Sequence, residues 1–281
     1  MAFAPTSTVE GPTYAQRKYG LLSALSFRPE GDGRWQNGFN WEQVCGTVGV
    51  LIPDCDIEEQ IGFPKEPNTG TNYPESLDPM TVYGYHRCSP VDRGTDRANQ
   101  IAALNLQRQE ERAVEAGLWA AIADQLEISG ESASTDLGEV LGHLEQVNDE
   151  RFAGGGLVLM SRRAAQWALD SGALRHVTSS TIGTQLDSPA VAGNFATTDE
   201  VGGTAPTGEW VALIGPVAGY RSGIFYPGGR PGDLLDRATN DMNAVAERTY
   251  ALGVQPACPT GDEDPDADPV LGFVFDITYG E

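Results

Sequence analysis

The sequence predicts an α+β fold, a single body from which two segments protrude. Three observations carry that expectation. Residues 95–128 form a proline-free run with apolar residues at helical spacing, long enough to act as a spine. Short β-rich segments alternate with helical ones along the rest of the chain, so few boundaries separate independent domains. Two stretches, 1–40 and the middle of 41–85, hold so much Gly, Pro, Ser, Thr, Asn and Asp that neither reads as a packed unit of its own. Length and composition agree, since 281 residues with 40% hydrophobic content are ample for a core. No stretch approaches the roughly 18 apolar residues of a membrane span.

The opening residues, MAFAPTSTVEGPTYAQRKYG, lack the basic and apolar regions of a secretory signal, and cytoplasmic synthesis is expected. Residues 1–40 read as an arm that lies on something else, with a short amphipathic stretch at 19–27. Residues 41–52, WEQVCGTVGVLI, and 80–85, MTVYGY, are strand-like ends rich in β-branched and aromatic residues. Between them, PDCDIEEQIGFPKEPNTGTNYPESLDP is too long and too irregular for an ordinary connection. It reads as an extended hairpin reaching a neighbour, with a plain surface loop as the competing reading.

The helix over 95–128 has Thr95 or Asp96 as its cap and would run roughly 45–50 Å. Ile101, Leu104, Val114, Leu118, Ala121, Ile122 and Leu126 mark its apolar side. Arg97, Arg108, Glu110, Glu111, Arg112 and Glu115 read as a solvated charged face with i,i+4 pairs. A second helix is expected at 135–150, capped by Ser134 or Thr135. A strand at 157–160 follows three glycines, and Ser161 caps a third helix at 162–169 that Gly172 ends. Strands are expected at 189–192, 210–214 and 223–226, an amphipathic helix at 233–252, and an alternating strand at 270–279.

Charge narrows the function. The chain carries 40 Asp and Glu against 18 Lys and Arg, a formal net charge of −22, and its lysines are Lys18 and Lys65 alone. Such a surface repels phosphates, which argues against DNA reading. An acidic wall facing packed DNA remains compatible, and a merely solvated acidic surface is the simpler alternative.

Chemistry-bearing motifs are scarce. Cys45, Cys55, Cys88 and Cys258 form no C-x-x-C pair. A metal site from Cys45, Cys55, Cys88 and His86 has unusual spacing, so buried thiols or a late disulfide are the expected states. Gly154, Gly155 and Gly156 precede their strand and have no following Lys, which argues against a phosphate loop. The acidic turn at 262–269 lacks the Gly and terminal Glu of a calcium loop. His143 and His176 stand in no catalytic pattern, and no nucleophile elbow occurs. No catalytic, cofactor-binding or metal residue is assigned.

Several segments resemble tailed-bacteriophage major capsid proteins of the Hong Kong ninety-seven type, those of actinobacterial phages in particular. They are MTVYGYHRCSPVDRG at 80–94, LVLMSRRAAQWALDSGAL at 157–174 and IGTQLDSPAVAGN at 182–194, where the family's Pro-Leu core is altered. EWVALIGPVAGYRSGI at 209–224 and NDMNAVAERTYALGVQPAC at 240–258 complete the series, the last resembling a helix and return segment. The resemblance implies an N-terminal arm at 1–40 and an extended loop at 41–85. It implies a peripheral domain with the spine helix at 86–150, completed by 256–281, and an axial domain at 151–255. The implied function is self-assembly, as hexamers and pentamers, into the icosahedral head shell around double-stranded DNA. That DNA would face the interior without sequence-specific binding. The shell would be made in the host cytoplasm, with a portal and possibly separate scaffold or decoration proteins as partners, and no membrane or cofactor.

Candidate inter-subunit contacts are Trp41, Phe63, Lys65 and Tyr73. Lys65 is the only lysine in the loop that some relatives crosslink, and a fused, cleaved scaffold is not expected. Competing readings are an encapsulin-like nanocompartment shell, a phage decoration or minor head protein, and an acidic metal-dependent hydrolase.

Overall fold

The computed structural model describes residues 17–28, 34–44, 71–72, 74–88, 95–129, 133–227, 235–236, 241–258 and 269–279. In chain order the elements begin with α1 (Leu21–Ala24), β1 (Phe27–Arg28), β2 (Gln43–Val44), β3 (Thr71–Asn72), β4 (Met80–Cys88), α2 (Thr95–Ile122) and β5 (Leu126–Ile128). Next come α3 (Leu137–Phe152), β6 (Leu157–Ser161), α4 (Arg162–Asp170), β7 (Leu174–His176), β8 (Ile182–Thr184) and β9 (Pro189–Gly193). The chain continues through β10 (Glu209–Ile214), β11 (Val217–Arg221), β12 (Leu235–Asp236), β13 (Asp241–Val254) and β14 (Gly272–Ile277).

Two sheets share the spine helix. The first is the path β1-β11-β13-β12 with β4 also paired to β13. The β4–β13 ladder runs antiparallel through nine residue pairs, from Met80↔Tyr250 to Cys88↔Met242. Its inner face is made of small residues. Ala244 and Ala246 lie against Ala98, Ala102 and Leu106 of α2 in one buried cluster. Gly84 belongs to the same close approach, because a Cβ there would strike the backbone of Ala102 and Leu106.

The second sheet has the order β5-β14-β10-β6-β9-β8-β7. Its central strands are buried on both faces. Leu159, Ala212 and Ile214 meet Val114, Leu118 and Trp119 of α2 on one side. Val158, Met160, Val211 and Leu213 meet α3 and α4 on the other. Local signals fix the covering helices. Asp136 caps α3 by accepting from the amides of Gly138 and Glu139. Ser161 caps α4 by accepting from Ala164 N at 3.0 Å, and Gly172 follows α4 at φ +78°.

Several sequence-based expectations require correction. The spine ends at Ile122, passes through a 3₁₀ turn at Ala123–Gln125 and becomes β5. Its 28 residues span about 42 Å. Leu126 kept the helical spacing, but its burial comes from the parallel pairing of β5 with β14. The cap of α3 is Asp136, while the Ser134 hydroxyl donates to Glu139. The expected helix at 233–252 is not found among the described residues. Its described part is strand, β12 and β13, because β4 lies alongside to complete the ladder. The expected strand at 223–226 lies earlier, as β11, leaving only a bridge between Phe225 and Glu247. Strand pairing joins β11 and β4 to β13, and joins β14 to β10 and β5.

Candidate assembly surfaces

The described part of the N-terminal segment is gripped by the spine. Glu111 and Glu115 lie one helical turn apart on α2, so both carboxylates reach the same side. Glu115, fully buried, accepts from Arg17 at 2.9 Å, from the Leu21 amide at 3.2 Å and from the Asn194 amide at 2.6 Å. Glu111 accepts from the Leu22 amide at 3.1 Å. Burial, then the neighbouring Glu115 charge, pushes the Glu111 carboxyl above the ordinary range, while Arg17, the Leu22 amide and Arg162 pull it back. Leu21 is fully buried, and β1 joins β11 in parallel. The charged face expected to be solvated is therefore partly internal. Glu110 is buried as well, accepting from Arg248 at 2.8 Å and from Tyr250 at 3.0 Å. Burial, followed by the Glu110 charge, pushes the Tyr250 phenol up to about 12.

The described residues on either side of 45–70 pair as a two-stranded ladder. Gln43↔Asn72 and Val44↔Thr71 pair antiparallel, and Asn40 bridges Glu75. The Trp41 amide donates to the Pro74 carbonyl at 3.3 Å, and the Ser76 amide to Phe39 at 2.7 Å. Gln43 Nε2 donates to the Pro256 carbonyl at 2.8 Å. Trp35 stacks on Tyr220 with ring centroids 5.6 Å apart, and Phe39 meets the same ring edge-on at 5.1 Å. Of the four contact candidates, Trp41 is half-buried beside Phe39 and Gly253 of its own chain. Phe63, Lys65 and Tyr73 lie outside the described residues, as do Cys45 and Cys55.

The remaining polar clusters hold backbone in place. Ser188, 5% exposed, donates to Glu145 at 2.7 Å, accepts from Asn148 at 2.9 Å, and its amide donates to Thr184 Oγ1 at 3.1 Å. This cluster pins the turn at 184–188, where Asp187 sits at φ 73°. A pocket of about 510 Å³ under α4 is lined by Tyr19, Arg162, Asp170, Arg175 and His176 among others. Its guanidiniums are engaged, Arg162 with the carbonyls of Lys18 and Ala192, Arg175 with Thr184 and Asp187. Cys88 is a free thiol, Cys258 is disulfide-bonded, and among the described residues no group of three or more His, Cys, Asp or Glu could hold a metal ion.

No protein-family model matches the sequence, and neither does any curated protein. In three dimensions the chain is similar to one from Mycobacterium phage Che8, at TM-score 0.50 and 14% identity, over 98% of this chain and 97% of that one. It is similar also to a chain from the capsid of a native GTA particle, at TM-score 0.50 and 9% identity, over 100% of this chain and 96% of that one. The chain has the tailed-phage capsid fold. Its long helix is α2, and α2 holds residues 17–22 through the carboxylates of Glu111 and Glu115. The carboxylate clamp escaped sequence reading because its cation, Arg17, is 98 residues from Glu115.

Proposed function

We propose that this chain is a major capsid protein, a subunit that self-assembles into the icosahedral head shell of a tailed phage. The observation that carries the reading is the end-to-end likeness to a capsid chain, 100% of this chain against 96% of the other. The buried carboxylates serve the arm and the spine, so the reading is structural rather than enzymatic.

In this reading the subunits meet as hexamers and pentamers. Closed symmetry multiplies modest contacts into a stable shell. The arm's first residues and the loop beyond its stalk grip adjacent copies, with Phe63, Lys65 and Tyr73 as contacts and Trp41 as a buttress at the loop's base. The sheet carrying β4 and β13 corresponds to the peripheral body and the seven-stranded sheet to the axial body. Packaged DNA faces an acidic wall that does not adhere to it, consistent with a net charge of −22. A portal, a separate scaffold and decoration proteins are partners of such a shell, assembled in the host cytoplasm and kept in the virion.

Electron microscopy of the full chain, expressed alone and with its companion head proteins, tests the reading. Closed shells are expected, and deletion of residues 60–75 is expected to leave folded subunits that do not close. A wild-type chain that stays a 30.0 kDa monomer under every assembly condition would refute the assignment.

A further inference from the structure

We infer that the outward face of the β4–β13 ladder is a docking surface for a second copy of this chain, an inference that rests on the shell reading. The spine helix covers only one side of the ladder. Opposite residues of an antiparallel pair project to the same face. The bridge Phe225↔Glu247 and the pair Glu247↔Tyr83 therefore set Phe225 and Tyr83 on one row. The next row outward on that face is Val245↔Tyr85. Tyr83 is 67% exposed, Phe225 64% and Tyr85 47%. Three large rings thus stand in solvent on a flat, doubly hydrogen-bonded support, and such clusters mark interaction sites on soluble proteins. Tyrosine on a rigid strand suits contact, since it offers a large area with little side-chain entropy to lose.

Charge points to the occupant. On this face Arg87 is paired with Asp241, and β12 sets Asp236 opposite Asp241 at the far end of the ladder. The two rows that carry the rings, Phe225-Glu247-Tyr83 and Val245-Tyr85, hold Glu247 as their one charge on a chain of net charge −22. Two such chains repel wherever their acidic surfaces approach. They meet at least cost through these weakly charged aromatic rows, whereas a basic partner would be drawn to the acidic surface elsewhere. A face presented off the two-fold to a different patch of the next copy generates a ring, the geometry a capsomer needs.

The test is the full chain carrying Tyr83→Ser, Tyr85→Ser and Phe225→Ser. Far-UV circular dichroism and the thermal midpoint should match wild type, while the assembled fraction in sedimentation falls at least tenfold. As a check independent of folding, the photo-crosslinker benzoylphenylalanine is placed at position 83 of an otherwise wild-type chain. Crosslinks to a second copy support the inference. Crosslinks within the same chain, to a different protein, or none in assembled particles overturn it. Wild-type shells together with normal shells from the triple variant reject the docking face alone. A wild-type chain that never assembles rejects the shell reading and this inference together.

Discussion

The two larger sheets of this molecule solve different problems with similar strands. In β10 every residue is buried, because α3 and α4 cover one face of its sheet and α2 the other. In β13 buried and half-buried residues alternate through Met242, Ala244 and Ala246, because α2 covers a single face. A strand sandwiched on both sides serves the fold. A strand covered on one side leaves the other face exposed, as Tyr83 and Tyr85 of the paired β4 are. The same helix accomplishes both. Its C-terminal half, with Val114, Leu118 and Trp119, caps the seven-stranded sheet, and its N-terminal half, with Ala98 and Ala102, carries the ladder.

That contrast can be broken by substitution, with effects that decrease from one sheet to the other. Leu213→Ala in β10 removes a fully buried side chain between two covered faces. It should lower unfolding stability by about 3 kcal/mol, read as a lower denaturant midpoint. Arg248→Met on the inner side of β13 leaves Glu110 buried with only the Tyr250 hydroxyl as partner. The pair keeps slight solvent contact, so the expected loss is about 2 kcal/mol. Equal or greater stability would show that this pair contributes nothing net.

The smallest effect is a pH dependence. Folded Tyr250 holds its proton up to about 12, above the ordinary tyrosine value of 10.0. Between those values the folded state binds more protons than the unfolded chain, so stability falls as pH rises through the window and is undiminished below it. Tyr250→Phe should flatten that alkaline decline, measured by denaturant titration across the window. An unchanged slope would assign the decline to other groups.

The two sheets also differed in how far they could be read from sequence. The strands 157–160 and 210–214 are continuous apolar runs, and Ser161 and Gly172 mark both ends of α4, so this region was legible. Residues 241–254 were not. Met242, Val245, Ala246, Thr249 and Tyr250 fit a helical period as well as Met242, Ala244 and Ala246 fit a strand. What decides between them is β4, some 150 residues earlier in the chain. Tertiary context likewise hid the arm clamp. Glu111 and Glu115 look like any exposed i,i+4 carboxylates until Arg17 and the Leu21 and Leu22 amides arrive from the N-terminal segment. Leu104 shows the converse, an apolar residue at helical spacing that is 50% exposed.

Hydroxyl-radical footprinting of the free and assembled chain tests the division of labour between the sheets most directly. Oxidation of Tyr83, Tyr85 and Phe225 should fall severalfold on assembly, while Trp210, already 2% exposed, should react equally little in both states. Rings that oxidise as fast in closed shells as in free subunits would contradict the claim that the uncovered face of the ladder is where neighbours meet.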